Sequence, residues 1–271
     1  MKKKNALQVV GATVMRCIPD DRHPKFTKII MPHPEPFFNR HLEKERRHSN
    51  MSISNGDRKG CKDVFHAYFV EDAEYDGEWE MPFIVAETET PEGIISFSKA
   101  MRTDDYNQWV HFYEDDVNFE RLWNRPGVYL PKLKKFKGVI SPDFSLYRDM
   151  PLVMQAWNTY RNRATGHWLQ SNGIKVIPNV RWGDERTYDF CCLGVRKKSV
   201  IAVGTHGTLK RKEDRYYFEK GLEYVISELE PSVIIVYGAV PESIFKKYID
   251  AGIIIVPFES DFGKSHKGGD D

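Results

Sequence analysis

Long hydrophobic runs are missing from this sequence. The longest, such as 233–237 and 253–257, reach about five residues. A membrane helix needs roughly 20, so no helical span is expected and no membrane partner follows. The start, Met1-Lys2-Lys3-Lys4-Asn5, carries charge with no apolar stretch behind it and does not read as a secretory signal. Cysteine is scarce too. Cys17, Cys61, Cys191 and Cys192 contain no C-x-x-C spacing, so they are expected to remain reduced in a cytoplasmic compartment. The Walker loop, the dinucleotide G-x-G-x-x-G, the G-x-S-x-G elbow and H-E-x-x-H are all absent, which disfavours lipase-like hydrolases and zinc proteases. His23, His33, His41, His48 and His66 share a region with Cys17 and Cys61 but form no paired ligand unit. No metal ligands are assigned to them.

What is present suits a packed domain. The chain has 271 residues, 41% hydrophobic and 13% aromatic, enough for one large α/β core. Net charge is +1 but unevenly placed. Residues 1–62 hold 14 Lys/Arg against 6 Asp/Glu, or +8, and the remainder holds 26 against 33, or −7. Five prolines fall between 19 and 36. The reading is a basic, mostly irregular extension over 1–62, an α/β domain over 63–262 and a flexible tail over 263–271. Within the extension, 37–48 suits one short helix and 49–62 a polar loop. The basic arm suits nucleic acid or another acidic partner.

From Gly138 onward the pattern is regular. Apolar runs at 138–141 (GVIS), 175–178 (KVIP), 199–204 (SVIAVG), 232–238 (SVIIVYG) and 252–258 (GIIIVPF) have few alternating polar residues. Such strands are covered on both faces, as in parallel sheets. Amphipathic helices lie between them, one carrying Leu152, Ala156, Trp157, Tyr160 and Ala164 on a face, another Phe218, Leu222, Val225 and Leu229, a third Ile244, Phe245, Tyr248 and Ile249. Upstream, 82–87 (PFIVAE) and 109–113 (WVHFY) read as strands, and 93–100 as a strand or a helix start. Asp115 or Asp116 caps a helix bearing Phe119, Leu122 and Trp123, which Pro126-Gly127 ends; 188–193 reads as an added hairpin strand. The fold expected is α/β, mainly parallel strands with crossover helices. A TIM-like barrel, not necessarily complete, fits the strand count, and a doubly wound open sheet is the alternative.

The phrases FKGVISPDFSLYRDMPLVMQAWNTYRNR (136–163), GIKVIPNVRWGDERTYDF (173–190), SVIAVGTHG and SVIIVYG, with VHFYEDDVNFERLWNRPGVYLPKLKKF (110–136) upstream, resemble the DUF4417 family. The resemblance covers roughly 80–260. That family occurs largely in bacteria, phages and mobile elements. The resemblance implies a phage or mobile-element accessory protein and carries over no catalytic residue.

In parallel α/β folds the ligand end is the carboxyl end of the strands. Polar residues gather just after each run: Asp116 in an acidic trio, Asp143, then Asn179, Arg181, Trp182 and Asp184, then Thr205, His206 and Gly207, then Tyr237, then Glu259. Asp143 reads as a metal ligand, a general base or a turn aspartate. Arg181 with Trp182 suits a phosphate or a stacked base. His206 is an acid–base candidate, beside glycines able to cradle a phosphate or make a tight turn. Asp143, Arg181, Trp182 and His206 are expected to converge. Three functions follow: binding of nucleic acid or a nucleotide-like phosphorylated ligand at the strand ends; metal-assisted phosphodiester hydrolysis by Asp143, Asp116 and His206, with a divalent cation as its cofactor; or a non-enzymatic module for a protein partner.

Overall fold

The computed structural model describes residues 66–261, Asp63 and the backbone of three short strands before them. Contacts divide the chain into two units, Met1–Met51 and Ser52–Asp271. In the first, β1 (Leu7–Val10), β2 (Thr13–Ile18) and β3 (Lys25–Ile29) pair as an antiparallel meander. These three short strands fall within the 1–62 extension. The helix expected at 37–48, the loop at 49–62 and the tail at 263–271 lie outside the described residues.

The described part of the second unit begins with a 3-10 turn, Ala67–Phe69, and an antiparallel hairpin of β4 (Tyr75–Asp76) and β5 (Met81–Pro82). Seven strands follow: β6 (Ile94–Ser96), β7 (Trp109–His111), β8 (Gly138–Ile140), β9 (Val176–Ile177), β10 (Val200–Gly204), β11 (Val233–Tyr237) and β12 (Ile254–Phe258). β6 to β9 pair in parallel in chain order, and so do β10 to β12. A parallel bridge between Asn179 and Ala202 joins the two ladders. There the Ala202 N–H donates to Pro178 O at 2.9 Å and the Val180 N–H donates to Ala202 O at 2.8 Å. The five strands expected from 138 onward are therefore present and parallel.

Crossovers are helical, as parallel neighbours require. They are α1 (Phe97–Ala100), α2 (Asp116–Asn124) with α3 (Pro126–Leu133), α4 (Leu152–Ser171), α5 (Tyr188–Cys191), α6 (Lys212–Leu229) and α7 (Glu242–Asp250). Successive strand residues point to opposite faces. Val110, Val139 and Val176 meet Phe119, Leu122 and Leu169 of the helices. Ile201, Val203, Ile234 and Val236 meet Leu222, Val225 and Phe245. The opposite face gathers Trp109, Ile140, Ile177, Ala202 and Ile235 in a cluster with no helical residue.

Contacts across the strand ends show that this sheet curls. Strands lie about 4.8 Å apart, so β7 and β11 would be roughly 19 Å apart in a flat sheet. Yet the His111 and Tyr237 rings lie 4.7 Å apart. Lys99, just after β6, donates to Asp261, just after β12, at 2.7 Å, where a flat sheet would put them roughly 29 Å apart. The ladder stays open all the same: among the described residues no pairing joins β12 to β6. Ile254 N–H donates toward β11, to Ser232 O, so alternation turns the position of Pro257 toward the open edge. Proline lacks the N–H that another strand would need there, which blunts the edge.

Some local expectations differ. Of the 82–87 stretch only Pro82 lies in a strand, Met81–Pro82. Ile84 makes an isolated parallel bridge to Val195, and the Gln170 side-chain amide pairs with the next residue, accepting from Val85 N at 2.8 Å and donating to Val85 O at 2.9 Å. The 188–193 segment forms helix α5 rather than a hairpin strand. Pro126, read as a stop, begins α3 at its first position, where its missing N–H costs no bond. The 93–100 stretch is both things at once, β6 running into α1. Ile249 and Trp157, assigned inward, are exposed.

Candidate functional site

At the carboxyl ends of β7 to β9 the side chains form one hydrogen-bonded chain, which stacks on a ring of β11. Asp143, 8% exposed, follows β8 and accepts from Asn179 Nδ2 at 2.7 Å. Its other oxygen pairs with Arg181. Asn179 Oδ1 accepts from the Tyr113 hydroxyl at 2.9 Å. Tyr113 stacks on Tyr237 with centroids 4.6 Å apart and planes 9° from parallel. His111, buried beneath, touches Tyr237. Strands β7, β8, β9 and β11 thus supply one largely buried floor, from which the Arg181 side chain, 31% exposed, rises.

Burial sets the electrostatics. It pushes the Tyr113 phenol well above its ordinary value, so the phenol remains a donor to Asn179. It also pushes the Asp143 carboxyl above the ordinary aspartate range, against the opposing pull of Arg181 and the Asn179 amide, with Asp116 adding to the rise. A folded value above the unfolded one means that the group's contribution to stability is complete below about pH 3.9 and is lost as the pH rises through the folded value. Across that window, wild-type unfolding free energy is expected to fall relative to Asp143→Asn. Paired urea titrations at stepped pH measure this, and a rise in the wild type would contradict it.

The network continues inward onto α4. Ser141 Oγ donates to Asn162 Oδ1 at 3.1 Å and accepts from Asn179 N at 2.8 Å. Asn162 Nδ2 donates to Pro142 O at 2.5 Å. Arg163, 1% exposed, donates to Asn179 O, Asn162 Oδ1, Leu193 O and Cys191 O at 3.0, 2.5, 2.8 and 2.8 Å. Burial lowers its guanidinium to about 10. Neither Asn162 nor Arg163 was singled out from the sequence. The available signal was the helical spacing of Gln155, Thr159, Asn162, Arg163 and Gly166, a polar stripe where an apolar one was expected, and all five are buried.

The other sequence candidates divide. Asp116 sits at the start of α2 and accepts from Ser145 Oγ at 2.8 Å and Ser145 N at 3.1 Å, so it fastens the loop that carries Asp143. Trp182 turns to α6: its Nε1 donates to Tyr217 O at 3.1 Å, beside Phe218 and Gly221. It does not join Arg181 and Asp143. Asp184 caps the short turn at Glu185–Thr187 and pairs with Arg186. Thr205 donates to Ala239 O at 2.8 Å, tying the ends of β10 and β11 together. His206, Gly207 and Glu259 are exposed at the strand ends. Among the described residues no three His, Cys, Asp or Glu side chains are grouped to hold a metal ion, and this applies to Asp143, Asp116 and His206. No helix among the described residues is long and apolar enough to cross a membrane.

Similar proteins come from phages. The chain is 36% identical over 129 residues to the "Gene 1 protein" of Mycobacterium phage D29, covering 48% of each chain. It is 38% identical over 129 residues to the "Gene 1 protein" of Mycobacterium phage L5, covering 48% of this chain and 56% of that one. The chain therefore spans about half the length of the curated relatives it matches. No solved structure matches it. The model of a family described as Domain of unknown function (DUF4417) matches residues 73–259, more than half of the sequence and all seven parallel strands, and the chain belongs to that family.

Proposed function

We propose that this phage-related protein binds a nucleotide-like phosphorylated ligand at the carboxyl ends of its parallel strands, with Arg181 as the anion anchor. One observation carries the reading. Asp143 fixes one amino group of the Arg181 guanidinium from below, while the rest of a partly exposed fork keeps donors for phosphate oxygens. A preorganised guanidinium loses little freedom on binding and can grip phosphate in two-point fashion. Tyr113 and Tyr237 make the floor rigid, and Asn179 holds the carboxylate that orients the arginine. The exposed turn at His206 and Gly207 borders the same strand ends. The phage origin of the similar proteins agrees with a role around nucleic acid or its precursors. The hydrolase reading has less support, since its three residues do not form a metal-holding group.

Arg181→Gln tests the reading. Calorimetric titration with ADP, inorganic pyrophosphate and a short oligothymidylate is expected to show binding to the native chain, weakened about tenfold or more in the variant. A single anchored phosphate predicts a shallow salt dependence. An extended strand predicts a slope that grows with the number of phosphates neutralised, about 0.7 per contact. Unchanged affinity in the variant, or no binding of any probe to the native chain, would overturn the assignment.

A further inference from the structure

A second surface stands apart from the strand ends. Between residues 64 and 98 the sequence has nine carboxylates, Glu71, Asp72, Glu74, Asp76, Glu78, Glu80, Glu87, Glu89 and Glu92, and no lysine or arginine. The first six lie on and beside the β4–β5 hairpin, which also displays large aromatic rings. Tyr75 and Trp79 are 48% and 43% exposed, and Tyr68 just before them is 40% exposed. These rings are held from behind. Trp79 meets Phe190 edge-on at 5.3 Å, the Tyr75 hydroxyl reaches Val70 O, and Tyr68 sits on Phe69 at 4.9 Å. Rigid, half-exposed aromatic side chains are the residue type that anchors protein interfaces.

Charge selects the occupant. Glu74 pairs with Arg196 and Asp76 accepts from Gly194 N, whereas Glu71, Asp72, Glu78 and Glu80 are exposed and take part in none of the ion pairs among the described residues. A field of carboxylates that make no ion pair among the described residues, beside exposed indole and phenol rings, matches arginine and lysine: the carboxylates accept charge-assisted hydrogen bonds and the ring faces attract the cation. The same field repels phosphate. We infer that the β4–β5 hairpin is a docking surface for a basic, arginine-rich segment of a partner protein, independent of the strand-end site.

The full chain is titrated with a twelve-residue arginine-rich peptide and with its citrulline counterpart, followed by tryptophan fluorescence and calorimetry. The arginine peptide is expected to bind and the citrulline peptide not. Glu71→Lys with Glu78→Lys, both at exposed positions, should weaken binding about tenfold or more. Trp79→Leu should weaken it severalfold at an unchanged melting temperature. Glu242→Lys on α7 serves as the distant charge control and should leave affinity within about twofold. Equal losses in the hairpin and control variants would overturn the inference. So would unchanged affinity in Trp79→Leu, absence of peptide binding, or binding of an oligonucleotide that depends on Glu71 and Glu78.

Discussion

Arg163→Leu is expected to lose on the order of 4 kcal/mol of folding stability, read as a lower urea midpoint with little change in slope. Arg163 lies in the middle of α4 with 1% of its surface exposed. Its four partners are oxygens of uncharged groups on Leu193, Cys191, Asn179 and Asn162. Leucine restores apolar volume but leaves those acceptors without donors, and each buried acceptor so stranded costs about 1–3 kcal/mol. The effect should spread to the site, because Asn179 also holds Asp143 and Tyr113. Arg163→Lys keeps the charge but cannot fork to four oxygens, so it should fall between wild type and Arg163→Leu. A loss below about 1 kcal/mol for Arg163→Leu would mean that water or rearrangement satisfies the acceptors.

The same residues mark how far the sequence could be read. Strands β8 to β12 were legible because their residues are apolar on both faces, and each face found its cover: helices on one side, the curled interior on the other. The strand-end rule brought out Asp143, Asn179 and Arg181, since any parallel sheet lines up the positions that follow its strands. Arg163 and Asn162 stayed hidden for a physical reason. Polar side chains on a helix normally face water, and the spacing of the stripe at Gln155, Thr159, Asn162 and Arg163 does not by itself say that it turns inward. The 82–87 segment misled in the opposite way: it makes one isolated bridge, Ile84 to Val195, and at Val85 pairs with the side chain of Gln170, a pairing no periodicity reports. In the sequence Asp143 reads equally as a site carboxylate and as a turn aspartate. Buried and shared between Asn179 and Arg181, it becomes part of the framework.

Gly221→Ala is expected to destabilise the protein by about 2–3 kcal/mol, although the same change inside a helix ordinarily stabilises by up to about 1 kcal/mol. Gly221 lies within α6, where nothing in its backbone calls for glycine. A Cβ there would come within 2.0 Å of Trp182 Nε1 and 2.2 Å of its Cδ1. The ring cannot simply swing aside. Nε1 is bonded to Tyr217 O, and the indole packs beside Phe218 with centroids 5.4 Å apart. Trp182 adjoins Arg181, so displacing the indole should also disturb the guanidinium at the strand ends. A double-mutant cycle isolates the contact. With Trp182→Leu in place the steric conflict is reduced, and adding Gly221→Ala should then be neutral or stabilising. Equal costs of Gly221→Ala in both backgrounds would show that the glycine serves something other than the indole. If the coupling is as large as expected, Gly221 and Trp182 are one packing unit that docks α6 against the loop after β9, and the tryptophan that reads in the sequence as a binding residue is a structural one.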